Sequence, residues 1–542
     1  RIVGNVIVED TGYGETDFLC RDVGERDVWM VRGQLLWQLS DSTSVLLKLD
    51  EQEGRSETGT GDFAGALPTG LSSDCPNPEC MDYAGYTDTD GDIYRGSFSV
   101  DPSYDLNQTI SSLRIDHEFD FGTLTAITGY IDFDRGYSAD IDASPLAILE
   151  FYNTDKVRQL SQEIRLWGET NNTVWQVGVF YTNDDVTSAY FGDLPVLLNT
   201  TTSSFAEIES TNLSLFANAE WALNDTLTLI TGLRYSDEER DGLVYTDDLV
   251  SLAPASFLSF APFGAGPVRL AFVDDQVKDE SVDWKLGLNW RFANDTLLFA
   301  SISQGTKSGG FFTGVVTSNE QLIPYGPEQL VAYEIGLKRQ VADLGLSYEA
   351  AVFYYDYEDV QTFITDDSGA VPVDRLGNVS GATIHGLDAT LQWRPPSFSG
   401  LALYASIGLL DTELDSFVSG ATTIPKGNEQ PDAPGFSGNL AASYEFNLSD
   451  SASMQIAVDG RYQGDTYRSV LNEVFSETAS YWVINARVSL YLQNEWEVTA
   501  WGRNINDEEY MTEFSNNLAL GNGSRIYGAP RTYGLTVTKH FD

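Results

Sequence analysis

The sequence predicts an all-β fold, a large antiparallel transmembrane β-barrel of about twenty strands. Three observations carry that expectation. Apolar and polar side chains alternate: in Trp284-Lys285-Leu286-Gly287-Leu288-Asn289-Trp290-Arg291-Phe292 one face is Trp, Leu, Leu, Trp, Phe and the other Lys, Gly, Asn, Arg. Successive strand side chains point to opposite faces, so one side meets grease and the other water. The connections alternate between tight turns and long acidic loops, the asymmetry of bacterial outer-membrane barrels, whose short turns are periplasmic and long loops extracellular. No stretch approaches the run of about 18 apolar residues that a membrane-crossing helix needs. Soluble sandwiches also alternate but lack this contrast of connections, and a propeller would repeat a shared motif about every forty residues.

The pattern recurs along the chain. Val31, Gly33, Leu35, Trp37 and Leu39 alternate with Arg32, Gln34 and Gln38 before Ser40-Asp41-Ser42 turns the chain. Trp175, Val177, Val179 and Tyr181 form a face after Asn171-Asn172. Leu213, Leu215, Ala217, Ala219 and Trp221 lead into Asn224-Asp225, and Leu227, Leu229, Leu233 and Tyr235 return. Trp482, Ile484, Ala486, Val488, Leu490 and Leu492 precede Gln493-Asn494-Glu495. Asn and Asp suit such turns because they tolerate left-handed backbone and bond their own main chain. The longest loops are expected at 54–105 and 240–276. Trp37, Trp221, Trp290, Trp393, Trp482 and Trp496 fall near strand ends, as interface girdles require.

Composition narrows the partners. The 542 residues carry 31 Lys and Arg against 81 Asp and Glu, a formal net charge of −50, which argues against nucleic acid. The acids gather between apolar runs, as at Asp247-Asp248, Asp274-Asp275, Asp279-Glu280 and Asp366-Asp367. No linker divides the chain, so one barrel over 1–542 is expected. Cys75 and Cys80 bracket Pro-Asn-Pro-Glu, a loop that a disulfide can close in an oxidising compartment. A free dithiol is the alternative, and Cys20 is left over. Arg1-Ile2-Val3-Gly4 has neither an initiator Met nor the look of a signal peptide, so the chain reads as a fragment or processed product.

No catalytic constellation is visible. His117, His385 and His540 are the three histidines, far apart in strand-like stretches. Gly305-Thr306-Lys307-Ser308-Gly309-Gly310 lacks the spacing of a phosphate loop and reads as a strand leaving the membrane. Asp88, Asp90 and Asp92 alternate around a glycine as in calcium loops, without the closing Glu of an EF-hand. Bound calcium there is the one cofactor expectation, and a solvated acidic loop is the plainer reading.

Several ordered segments resemble the barrel of TonB-dependent outer-membrane receptors. They are RDVGERDVWMVRGQLLWQLSDS (21–42), SISQGTKSGGFF (301–312), YEIGLK (333–338), FYYDYEDVQTF (353–363), GNVSGATIHGLDATLQW (377–393), WGRNINDEEY (501–510) and GAPRTYGLTVTKHF (528–541). In YEIGLK, Tyr333, Ile335 and Leu337 would face lipid and Glu334, Gly336 and Lys338 the lumen. In the last strand Tyr533, Leu535, Val537 and Phe541 form the apolar face. Phe541 resembles the terminal aromatic read by the barrel assembly machinery, although Asp542 follows it. Family members begin with an energy-coupling box and a plug, and neither is visible here. Arg1 would then start near the third of the 22 strands typical of plugged transporters, with plug and first hairpin upstream.

The resemblance implies a non-enzymatic receptor of the Gram-negative outer membrane, surrounded by lipid and driven through TonB. Its ligand would be a scarce large solute, with a ferric siderophore or similar metal chelate leading. Candidate lumen-facing residues are Arg234, Lys285, Asn289, Arg291, Glu334 and Lys338. Glu220 and Arg291, near short turns, would meet the plug. A plugless porin or an adhesin is the alternative.

Overall fold

The computed structural model describes residues 2–10 (by their backbone), 26–57, 61–292, 295–492, 495–518 and 521–539. Cys20, His540, Phe541 and Asp542 lie outside the described residues, so nothing more is said of the assembly signal.

Twenty strands form one antiparallel sheet. They are Ile2–Asp10, Arg26–Ser40, Thr43–Ser56, Ser103–Phe119, Gly122–Asp140, Glu150–Glu169, Thr173–Leu194, Thr200–Ala222, Leu227–Asp248 and Val268–Phe292, then Thr296–Lys307, Glu328–Val341, Leu346–Asp366, Val373–Trp393, Leu401–Leu414, Phe436–Ser449, Ala452–Gln463, Tyr481–Leu492, Trp496–Arg503 and Thr532–Lys539. Each pairs with the next in sequence, from Ile2↔Trp37 to Trp496↔Lys539, the order expected of an up-and-down barrel. The tightest turns, such as Asp41-Ser42 and Asp120-Phe121, lie at one end, and the connections at the other end are mostly longer. No described helix is long and apolar enough to cross a membrane.

The two ends of the meander meet at the long-loop end. Asp62–Gly65, in the loop after the third strand, pairs with Asn522–Tyr527, in the loop before the last. Tyr94 Oη also donates to the Gly528 carbonyl at 2.9 Å. A flat sheet cannot bring these loops together, so the sheet curls back on itself.

The outer face shows where the exposed apolar band ends. Along Val268–Phe292, Val282, Leu286, Leu288, Trp290 and Phe292 are each 40–51% exposed. The outward positions one and two steps further on are Glu280 and Lys278, beside Asp237 and Glu239 of the neighbouring strand. From Val282 to Phe292 the strand covers roughly 33 Å, which tilted about 40° spans the ~25 Å apolar band of an outer-membrane barrel. Trp37, Trp221, Trp290, Trp393 and Trp496 stand exposed at the short-turn edge of the band. Phe436, Tyr462 and Trp482 cluster at the far edge, with ring centroids 5.4 and 5.2 Å apart. All six tryptophans expected in girdles are exposed near strand ends.

One loop is shorter than its sequence suggests. Leu227–Asp248 and Val268–Phe292 stay paired to Asp248↔Val268, so 240–248 and 268–276 are strand and only 249–267 is loop. There the inner face (Val244, Ala271) is buried beneath the inward-turned loop and the outer face is mostly polar, so the grease-against-water contrast behind the period-2 signal is lost while the hydrogen-bond ladder continues. The first long loop covers 57–102, close to its expected bounds.

Candidate functional site: a roofed chamber at the barrel mouth

The segment 308–327, which follows the strand containing Ser301-Ile302-Ser303-Gln304, turns inward over the mouth. Phe311 is 6% exposed and packs with Ala206, Val244, Ala271, Val316 and Leu322. It lies against Gly242, where an added Cβ would stand 2.5 Å from the Phe311 ring. Polar side chains from the strands then satisfy the backbone of the loop, as buried amides require. Gly309 N donates to Asp279 Oδ2 at 2.7 Å, Ser308 Oγ to Glu238 Oε2 at 2.6 Å, and Arg240, ion-paired with Glu238, to the Gly309 carbonyl.

A second set of contacts joins this loop to the hairpin tip at 366–373. Gln321, wholly buried, accepts from Thr317 N at 2.7 Å and donates to the Asp366 carbonyl at 3.0 Å. Gln361 Nε2 donates to the carbonyls of Ser308 and Gly326 at 2.9 and 3.0 Å. Asn378 closes the base, accepting from Gly326 N at 2.7 Å and donating to the Gly326 carbonyl at 3.0 Å. Arg375 is held by Asp366 at 2.6 Å, both largely buried.

These contacts roof a chamber of ≈ 850 Å³ at the long-loop end. Phe151, Tyr190, Phe311, Phe312, Tyr325 and Phe363 contribute aromatic walls, with leucines and valines between them and Asn516 and Asn517 at one side. Asp374 and Glu473 are the only charged side chains among its described lining residues. Asp374 Oδ1 accepts from Thr365 Oγ1 at 2.7 Å. Glu473 Oε2 is buried without a hydrogen-bond partner. Burial pushes the Glu473 carboxyl above its ordinary range and Asp374 adds to this, while a hydrogen bond from Ser469 opposes it. Such an environment favours the neutral carboxyl over the carboxylate.

Below, inside the barrel, a groove of ≈ 550 Å³ has the opposite character, with Glu163, Arg165, Gln176, Asn218, Arg234, Asp283 and Lys285 along it. Arg234 donates to Ser214 Oγ at 2.9 Å and Ser236 Oγ at 3.1 Å, on the face opposite exposed Leu233 and Tyr235. The structure thus brings the candidates Arg234 and Lys285 together. Glu334 and Lys338 lie elsewhere, on the face opposite exposed Tyr333 and Ile335, and Lys338 is 3.1 Å from Glu349. Asn289 lies opposite exposed Leu288 and Trp290, and Glu220 and Arg291 stand exposed near the short turns.

The other candidates separate. Cys75 and Cys80 are bridged, with Cα atoms 5.9 Å apart. Asp88 and Asp90 each accept the backbone N–H two residues on, at 3.1 and 2.8 Å, and Asp92 pairs with Arg95 at 3.2 Å. Among the described residues no group of three His, Cys, Asp or Glu converges as a metal site. His117 Nδ1 bonds Thr43 at 2.8 Å, and His385 lies 3.6 Å from Asp411, its cross-strand partner on the adjacent strand. Gln321, Gln361, Asn378, Asp374 and Glu473 were not singled out by sequence. The Gly-Gly-Phe-Phe run beside a strand end was the one available signal.

Comparisons agree with this architecture. Residues 37–505 match the family described as TonB dependent receptor-like, beta-barrel. The pesticin receptor of Yersinia enterocolitica is 26% identical over 215 residues, 39% of this chain and 27% of that protein. The ferrichrome outer membrane transporter/phage receptor of Escherichia coli is 22% identical over 277 residues, 50% of this chain and 34% of that protein. The chain therefore spans only about a quarter to a third of the curated relatives it matches. The crystal structure of the ferric yersiniabactin uptake receptor FyuA from Yersinia pestis superposes with TM-score 0.75 at 16% identity, covering 99% of this chain and 75% of that one. The family and these relatives are receptors and transporters, not enzymes, and their place is the Gram-negative outer membrane. With the match extending over most of its length, the chain belongs to the TonB-dependent receptor β-barrel family.

Proposed function

We propose that the protein takes up a scarce, bulky metal chelate, a ferric siderophore or close analogue, across the outer membrane with energy delivered through TonB. The observation that carries this reading is the chamber of ≈ 850 Å³ roofed by loops at the long-loop end. Its size and aromatic walls suit one drug-sized ligand, since binding sites of roughly 300–1,000 Å³ bury most of such a molecule. A passive pore has no use for a roof, whereas a receptor must hold a dilute solute before moving it. A relative named for ferrichrome and a structural neighbour named for ferric yersiniabactin support a metal chelate, with iron leading. The polar groove beneath, with Arg234 and Lys285, would receive the ligand after release.

The test is uptake of radioactive iron, as a panel of ferric chelates, by a Gram-negative host stripped of its own siderophore receptors. Expression should confer saturable uptake of at least one chelate, abolished when TonB is deleted. Uptake that persists without TonB, or a steady large conductance of the whole protein in planar bilayers, would favour a pore and overturn the proposal.

A further inference from the structure

We infer that the chamber selects its chelate by charge, taking apolar, aromatic-bearing complexes that are neutral or carry a cationic or hydrogen-bond-donating arm, and turning away polyanionic ones. This rests on the receptor reading above and adds the chemical class of the ligand. Two independent observations carry it. The first is the absence of free cations: no Lys, Arg or His is among the described lining residues. The nearby guanidiniums are already committed, Arg375 to Asp366 and Arg240 to Glu238. A polyanion entering an apolar enclosure would lose its water without gaining a counter-charge.

The second is a pair of carboxylates on one wall. Glu473 Oε2 is buried with no hydrogen-bond partner, and Asp374 lines the same wall. Two carboxylates with no cation facing them give this wall a negative character that favours an ammonium or hydrogen-bond-donating arm of the ligand and disfavours an anion. The aromatic walls add attraction for a cation through their ring faces. Glu473 and Asp374 therefore act as the positioning pair for a donor arm, while the aromatic residues hold the apolar body.

The experiment uses the whole protein in detergent micelles and reads binding by quenching of tryptophan fluorescence. Three probes share iron but differ in charge: a ferric trihydroxamate with a free primary amine, a neutral ferric trihydroxamate, and a trianionic ferric tris-catecholate. The amine-bearing probe should bind tightest and the tris-catecholate at least about tenfold more weakly. E473Q should shrink the preference for the amine-bearing over the neutral probe toward parity. E473K should gain affinity for the tris-catecholate, a change that mere loss of structure does not produce. Equal binding of all three probes, or a tris-catecholate preference, overturns the charge rule and leaves the receptor reading standing. Failure of every probe to bind overturns both. An unchanged preference in E473Q removes Glu473 from the rule and so overturns it as stated.

Discussion

Gln321 Nε2 donates to the carbonyl oxygen of Asp366 at 3.0 Å, joining the inward-turned loop to the top of a hairpin 45 residues on. The same amide serves Thr317 on its other side, so one buried side chain sets how the roof sits over the chamber.

Gln321→Ala should loosen the roof and spare the barrel. It leaves carbonyls of the hairpin tip unpaired, a cost of about 1–3 kcal/mol. Amide exchange across 313–322 and 366–373 should quicken, ligand affinity should fall about tenfold, and the heat-resistant electrophoretic mobility of the barrel should stay as it was. Loss of that mobility would place Gln321 in the stability of the barrel instead.

Gly242→Val should displace Phe311, because the new Cβ would stand 2.5 Å from its ring. Overpacking of this kind costs typically 1–3 kcal/mol. Gly305→Ala is the matched control, since nothing lies within 4 Å of a Cβ there. Chelate binding should be lost in the first variant and kept in the second.

The loop at 141–149 should open as pH rises. Asp142 is wholly buried, and its carboxyl is pushed up to about 7 by burial first and Asp140 second. Hydrogen bonds from Leu149 N at 2.8 Å and Ser144 N at 3.1 Å oppose the shift. The folded loop keeps the proton to higher pH than the unfolded chain does. Its contribution to stability is therefore full below the ordinary carboxylate range and is lost as pH rises through about 7. Exchange of the Leu149 amide, corrected for its intrinsic rate, should be faster at about pH 8 than at about pH 5. Asp142→Asn should flatten that dependence.

Reducing Cys75–Cys80, or replacing both by Ser, should act locally. The bridge spans a sequence separation of 5, and closing so short a loop is worth roughly 2 kcal/mol in the chain-entropy account. It steadies the turn whose backbone bridges Gly65 to Asn77 and Leu67 to Met81. Proteolysis within 57–102 should quicken under reducing conditions without any change in barrel mobility.

The strands were legible because lipid and water enforce opposite rules on alternate side chains. Where that contrast holds, as from Val282 to Phe292, residue order alone names the face and the boundary. Where that contrast is missing, at 240–248 and 268–276, whose inner face is covered by a loop, the same reading mistook strand for loop, although the ladder continues through Asp248↔Val268. The aromatic girdles were equally local, since a Trp at a strand end needs no partner elsewhere in the chain.

The chamber was not legible in that way. Phe311 meets Val244, Gln321 meets Asp366, and Asp374 shares a wall with Glu473 only because the sheet curls and its loops converge. Sequence by itself determined a bilayer-spanning alternation, since each side chain answers to the medium it touches. Tertiary structure decided which loop folds inward and which carboxylates share a chamber wall, because those outcomes depend on contacts between residues tens to hundreds of positions apart.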